Sequence, residues 1–554
     1  MKTKPLLLLA LPLAGLLALL VWLRHATEGA AGAPSGRAPA NTVAGKELPP
    51  AAARRPGDDA VPRRRIAGEV LAFLRQKLGS ADARPNEGVL TFASAEAYRK
   101  FLGRAGQAGL TVLGRLDGLL TVRVRYDSLA GLAGDLAGNL ADYAAVGANF
   151  LVEAPAVPPK EDRAPVNQVP FGNSTLAFLG ATGDRTGWGR GVTIAVLDSG
   201  VAPDVTFAPG QVRSIDLGLG VLPGAGAEDG HGTAVAALAG GFAADAPGVA
   251  PSAGILSLRV TDASGTSDLF TLAQAIVTAV DAGAQILNIS MGGYDTNAVL
   301  GRAIDYAAAH GAVIVAAAGN DQAAELTWPA ADPRVVSVGA VDALGQQVLF
   351  SNSGPQLALA APGYGVQSAW LDGQRVTLDG TSVSAPLVAG AIAAVMSENP
   401  GLSATQAWAV LRQYADDGGA PGPDDAFGNG VLDLGWAMDH ADPARTDTAV
   451  SSHYYDAAAG EMDFVVQNRG GRTVSGLQLQ VEAGGTPVSY ALPALQPGAS
   501  YVVRQPVDPA VLAAAGSLVF RSQLVNPPGL VDQVPANNRR ASVLTPAAAP
   551  AAGN

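Results

Sequence analysis

The chain is 554 residues long, too many for one hydrophobic core, so at roughly 150 residues per domain it holds about three or four folding units. It is 48% apolar, 15% charged and 5% aromatic with 68 Gly and 38 Pro, a turn-rich globular composition that excludes disorder throughout. Through Arg65 there are ten Lys/Arg against four Asp/Glu (net +6) and beyond it 26 against 44 (net −18), giving −12 in all; so acidic a body excludes nucleic acid as the main partner, and the absence of cysteine excludes a thiol nucleophile, Cys-ligated metal centres and disulfides.

At the N-terminus Lys2 and Lys4 precede an unbroken apolar run, Pro5 to Leu23, closed by Arg24 and His25. Its nineteen residues lie between a secretory h-region of about 7–15 and a spanning helix of about 20. Residues 1–25 therefore read as a signal peptide or a retained signal anchor. The only clear small-residue cleavage site, Ala31-Gly32-Ala33, is followed by Pro34. Either form places the protein outside the cytoplasm: secreted, periplasmic, or anchored at the cell envelope, touching membrane only through this segment. Residues 26–70 are Ala/Pro/Arg-rich without hydrophobic period, so they form a disordered tether.

Residues 71–160 read as a small α+β unit. Val89 to Phe92 predicts a short strand, and Ser94 starts a helix with Tyr98, Phe101, Leu102 and Ala105 on one face. Leu110 to Leu116 and Leu119 to Tyr126 predict strands joined by a tight turn at Asp117-Gly118, a pair that tolerates positive φ. Leu129, Leu132, Leu136, Leu140 and Tyr143 recur at helical spacing, and Asn149 to Glu153 predicts a last strand. The order β-α-β-β-α-β is ferredoxin-like.

Three motifs carry chemistry. Val192 to Leu197 is a continuous apolar run of the kind that forms a buried parallel strand, and it delivers Asp198 to the strand's carboxyl end, where open α/β sheets place their sites. Of the five histidines, only His231 stands in a special setting, Asp229-Gly230-His231-Gly232-Thr233 opening a small-residue helix. No His-Glu-x-x-His pair supports a zinc protease. Gly380-Thr381-Ser382-Val383-Ser384-Ala385-Pro386 leads into the apolar helix Leu387 to Met396. Ser382 there is either a helix cap or a nucleophile beside the unpaired N–H groups of a helix start. A hydroxyl becomes nucleophilic when a base takes its proton and an acid orients that base, and Ser382, His231 and Asp198 supply the three roles. Ala312 to Ala318 predicts another strand ending at Gly319-Asn320, whose amide would donate to an oxyanion beside the Ser382 N–H.

With Leu287-Asn288-Ile289-Ser290-Met291-Gly292-Gly293 added, these motifs give five segments in order between about Gln168 and Met438, and this stretch resembles a subtilisin-like serine protease (subtilase). The chain order Asp, His, Ser is that of subtilisin and differs from the chymotrypsin and α/β-hydrolase orders. The resemblance implies a doubly wound parallel-sheet catalytic domain over 165–445. In it Asp198 would orient His231, His231 would act as base then acid, Ser382 would attack the peptide carbonyl, and Asn320 would be the oxyanion donor. It implies that Ser264, Gly265 and Thr266 on one side, and Ser290, Met291, Gly292 and Gly293 on the other, form edges along which an extended polypeptide substrate adds as a strand. Leu269 and Met291 would line an apolar subsite, and Ala318, Gly319 and Thr327 the primary pocket.

Three departures from the family pattern stand out. Thr327 occupies a place where the family often has Gly before an aromatic-Pro pair, which implies a shallower pocket, and Asp321 would disfavour acidic side chains. Val383 follows the serine where Met is common. The loop Gly240 to Gly248 is shorter than in calcium-binding relatives, so calcium has no clear motif; no cofactor is required and no metal ligands are assigned. The resemblance also implies that residues 71–160 are an inhibitor-type propeptide, the chain's own intramolecular inhibitor, with an exposed junction at Ala154 to Val166.

Residues 447–545 change character again. Met462 to Gln467, Leu477 to Val481, Val488 to Leu492, Tyr501 to Arg504 and Leu518 to Phe520 predict short strands of an Ig-like sandwich. Asp532 to Asn538 resembles the end of CARDB-type adhesion modules. Residues 546–554 are an Ala/Pro tail. The expectation is an exported serine endopeptidase made as a zymogen; the competing reading is a non-catalytic envelope adhesion protein on a protease scaffold.

Overall fold

The computed structural model describes residues 70–76, 78–154, 168–222, 230–262 and 264–546. The export run, the tether through residue 69, all of the proline-rich junction after Ala154, Asp229 and the end of the tail lie outside the described residues. The chain forms two compact units, the first ending at Phe150 and including residues 297–299, the second holding the rest.

The first unit contains β1 (Ala83–Phe92), α1 (Ala95–Arg104), β2 (Leu110–Leu116), β3 (Thr121–Tyr126), α2 (Leu129–Gly138) and most of β4 (Tyr143–Glu153). Its antiparallel strands run in the order β2-β3-β1-β4, the ferredoxin-like arrangement expected. Ser94 caps α1 through the Ala97 N–H at 3.1 Å, and Phe92, Phe101 and Tyr143 fill the core. Three local expectations change. β1 and β4 are ten and eleven residues long, because residues that alternate in burial rather than form apolar runs still pair. Tyr143 opens β4 instead of ending α2. The β2–β3 turn is a 3-10 turn over Asp117–Leu119 with the positive φ, 50°, at Leu120 and not at Gly118; Arg115 pins Asp117 at 3.1 Å and Tyr98 also bonds it, so side chains set this turn.

The second unit is built on a seven-stranded sheet, order β12-β11-β10-β9-β5-β7-β6, with every pair parallel. Its strands are β5 (Thr193–Asp198), β6 (Val212–Ile215), β7 (Gly254–Arg259), β9 (Ile286–Ile289), β10 (Val313–Ala317), β11 (Val336–Val341) and β12 (Leu359–Pro362); β8 (Thr266–Asp268) and the antiparallel pair β13 (Val366–Ala369) and β14 (Arg375–Leu378) lie outside this sheet. The central strands are buried on both faces, which is why they read as continuous apolar runs. Two helices, α3 (His231–Gly240) and α4 (Thr381–Glu398), are embedded in the core: all ten residues of α3 and Thr381 to Val395 of α4 are buried. α4 is long and apolar enough to cross a membrane, but 83% of its window is buried inside the domain, so it is a core helix.

The C-terminal strands make two facing sheets that share one apolar core: β15 (Thr448–Asp456), β16 (Glu461–Asn468) and β19 (Ser500–Pro506) in one, β18 (Val488–Ala491), β17 (Gln478–Ala483), β20 (Leu518–Val525) and β21 (Arg539–Leu544) in the other. β15 and β21 were not anticipated, since their polar, alternating sequences carry no apolar run. The sandwich joins the α/β part through buried ions. Arg469 pairs with Asp416 at 2.7 Å and Asp433 at 3.5 Å, and Arg445 with Asp447 at 2.6 Å. Burial pushes the Asp416 carboxyl up against the opposing pull of Arg469, with Asp433 and Asp447 adding to the rise.

Within the sandwich the His453 ring lies between the Ser542 and Ser522 hydroxyls at 2.9 and 2.7 Å and packs edge-on against Phe464. Burial, with Arg540 nearby, lowers its pKa from 6.5 to about 3. The unfolded chain therefore takes up a proton near pH 6.5 that the folded chain refuses until near pH 3, and stability is lost as pH falls across that window. Calorimetry of His453→Gln should show a shallower fall in melting temperature than wild type between pH 8 and 5; parallel curves would exclude His453 as the source.

Candidate active site

The carboxyl edge of the parallel sheet gathers the chemistry. Asp198 is the last residue of β5 and is 1% exposed. Its Oδ1 accepts the Ser199 N–H at 2.7 Å and meets His231 Nδ1 at 2.9 Å. A carboxylate only accepts, so the proton of that bond sits on Nδ1 and Nε2 carries the ring's basic lone pair. His231 opens α3 and is 8% exposed. The helix start rests on the turn after β5: Gly232 N–H donates to Ser199 Oγ at 3.0 Å, and a Cβ on Gly232 would stand 2.4 Å from the Gly200 carbonyl. Only glycine permits so close an approach of the two backbones.

β9 lies beside β5 with Leu197 opposite Ile289, so the following residues, Asp198 and Ser290, emerge at neighbouring positions. Ser290 Oγ accepts from Asn288 Nδ2 at 2.9 Å and donates to the carbonyl of Ser382 at 2.9 Å. Ser382 is the second residue of α4 and is 4% exposed. The helix cap is Gly380, φ 137°, with no side-chain cap bond, so neither Thr381 nor Ser382 serves as the cap. Ser382 N–H belongs to the first helical turn, whose amides have no carbonyl four residues back.

Asn320 follows β10 and is fully buried. Its Oδ1 accepts from both the N–H and the Oγ1 of Thr381, each at 2.9 Å, while Thr381 Oγ1 accepts the Gly319 N–H at 3.1 Å. A backbone N–H demands an acceptor, so this pairing fixes the amide's orientation and makes Nδ2 its donor half. Thr381 thus ties the oxyanion candidate to the residue before the nucleophile candidate, a role legible in hindsight from its place in the Gly-Thr-Ser motif.

The two proposed substrate edges already flank a strand. Leu151, Val152 and Glu153 pair antiparallel with Asp268, Ser267 and Thr266. On the other side Glu153 and Gly292 exchange both backbone bonds, at 3.1 and 2.9 Å. Ser264 and Gly265 form the turn into β8, held by Asp262. Leu269 and Met291 are buried, at 0% and 1% exposure. Thr327, also buried, presses on Gly292 and Gly319, where added Cβ atoms would meet its side chain at 2.5 and 3.0 Å; next to Thr327 a narrow slot is expected. Trp370 escaped the sequence reading because nothing local marks it: its indole lies where a Cβ on Gly230 would come within 2.1 Å.

Residues 189–430 match the Subtilase family. The chain is 34% identical over 273 residues to a thermostable alkaline protease of Halalkalibacterium halodurans, covering 49% of this chain and 73% of that one. It is 33% identical over 274 residues to Subtilisin Savinase of Lederbergia lenta, covering 48% and 96%. Among solved structures, MycP1 with the N-terminal propeptide removed aligns with a TM-score of 0.42 and 34% identity over 49% of this chain and 96% of that one.

Against the Trp370 indole, Gly230→Ala should push the start of α3 and His231 aside, and displacement of about 1 Å in a catalytic group can cost about 10²-fold. Steady-state assays should show the loss in kcat; a variant with wild-type kcat would mean that Trp370 yields instead.

Proposed function

This chain belongs to the subtilase family and is a serine endopeptidase, and on that footing we propose that it cuts polypeptides with Asp198, His231 and Ser382 as its triad, after export as a zymogen. The observation that supports the reading is the 2.9 Å bond between Asp198 Oδ1 and His231 Nδ1, since it fixes the tautomer of an imidazole at the same sheet edge as Ser382.

In the proposed reaction Ser382 Oγ bonds to the carbonyl carbon of the scissile peptide as its proton passes to His231 Nε2. The C=O π pair moves onto oxygen, and Asn320 Nδ2 with the Ser382 N–H stabilises that oxyanion. Asp198 stabilises the imidazolium without taking a proton. The C–N bond breaks as Nε2 returns the proton to the leaving amine, leaving an acyl ester on Ser382. Water then repeats the sequence, giving its proton to His231 and releasing the carboxylic acid and free serine. No step needs a cofactor.

The zymogen reading is supported by Leu151 to Glu153, since a segment N-terminal to the catalytic residues lies as a strand between the two substrate edges. Export rests on Lys2, Lys4 and the apolar run that follows. The sandwich would serve attachment or stabilisation.

A fluorophosphonate probe should label the folded protein, freed of its N-terminal segment, at Ser382; no Ser382-dependent label would favour the non-catalytic adhesion reading. Full-length chain should accumulate for Ser382→Ala but not for wild type, and equal processing of both would place the cut in another protease's hands. Asn320→Ala should lower kcat by about 10²–10³, the range established for loss of one such donor in subtilisin, as read from single-turnover acylation.

A further inference from the structure

The loop leaving β10 is held from a side that neither the triad nor Thr381 touches. Asn352, fully buried, donates its N–H to the Gly319 carbonyl at 3.0 Å. Its Oδ1 accepts the N–H groups of Asp321 and Ala323 at 2.9 and 3.0 Å. Two backbone donors on one oxygen fix this amide's orientation, so Nδ2 is the donor that reaches Tyr294 Oη at 2.9 Å. The Tyr294 hydroxyl in turn donates to Asp321 Oδ2 at 2.5 Å. The neighbouring backbones add Gln322 N–H to Phe350 O and Ser353 N–H to Ala323 O, both at 2.9 Å.

The contacts bracket Asn320: the residue before it gives Asn352 its carbonyl, and the residue after it gives Asn352 its N–H. Gly319 makes this approach possible. Its φ is 111°, and a Cβ there would lie 2.3 Å from Asn352 Nδ2. Tyr294 is 43% exposed, so its two hydroxyl bonds form although the residue is not enclosed by packing. Burial and the Asp321 carboxylate push its pKa up to about 12, so the phenol keeps its proton, and its donor role, through neutral and mildly alkaline solution.

We propose that Asn352, braced by Tyr294 through Asp321, is a positioning residue that holds the backbone of the oxyanion donor Asn320, completing the hold that Thr381 exerts on its side chain. The proposal rests on the reading of Asn320 given above. Asn352 touches no reacting atom; it acts through Asn320, so its effect should vanish when Asn320 loses its amide.

The test is a double-mutant cycle, with rates counted per fluorophosphonate-reactive serine so that unfolded protein does not enter. Tyr294→Phe keeps the ring and removes the hydroxyl that links Asn352 to Asp321. It should lower kcat about tenfold, the scale of one hydrogen bond to a charged group, with KM within about twofold. In the Asn320→Ala background the same change should alter kcat by less than about twofold. If Tyr294→Phe does not accumulate folded, Asp321→Ala cuts the tie from its other end and should show the same coupling. A loss of equal factor in both backgrounds, or no loss in either, overturns the proposal. If instead Asn320→Ala alone leaves kcat intact, the oxyanion assignment is what fails.

Discussion

Two helices that are buried on every side can lie together only if their side chains are small, and the second unit is organised by that constraint. α3 and α4 carry His231 and Ser382 at their first and second residues. A Cβ on Gly390 of α4 would stand 2.7 Å from the Ala239 carbonyl of α3 and 2.8 Å from Val249 Cβ. The alanines and glycines, six of the ten residues of α3 and six of the eighteen of α4, therefore let the two helices pack closely with their N-termini at one edge of the sheet. Larger residues would add apolar burial but would separate the helix starts. The serine and histidine sit on rigid elements as a result, and only Asn320 depends on a loop.

That difference explains what could be read from the chain. Asp198 was legible because a buried parallel strand is a continuous apolar run and its end is abrupt. His231 and Ser382 were legible because each opens a helix of small residues after glycine. The hold on Asn320 was not. Asn352 lies 32 residues further on in a segment without apolar period, and its contacts with Gly319, Asp321 and Ala323 exist only in the folded chain. Tyr294 and Trp370 are likewise placed by neighbours distant in sequence. The sandwich shows the same limit: β20 opens on the apolar run Leu518-Val519-Phe520 and β17 alternates cleanly, whereas β15 reads Thr-Ala-Val-Ser-Ser-His-Tyr-Tyr-Asp and its His453 meets two serines from the facing sheet.

Where the sandwich meets the catalytic part, the chain uses ions where a larger apolar contact would have served. Buried pairs such as Arg469–Asp416 and Arg445–Asp447 recover in attraction about what they lose in desolvation, so they add little net stability. They do penalise any other docking of the two parts, because a shifted joint would leave guanidinium and carboxylate groups buried without partners. With no cysteine in the chain, this ionic register acts together with neutral bonds such as Ser452 Oγ to the Gly419 carbonyl, 3.1 Å, to hold the C-terminal module in one orientation.

The strand Leu151 to Glu153 is gripped between Thr266–Asp268 and Gly292 by main-chain bonds, groups that every polypeptide carries. A substrate that binds in this way must present both edges of its backbone at once, which a residue inside a helix or sheet cannot do. A well-folded protein offers such a stretch only as often as it opens locally, so the free energy of local opening enters its susceptibility directly.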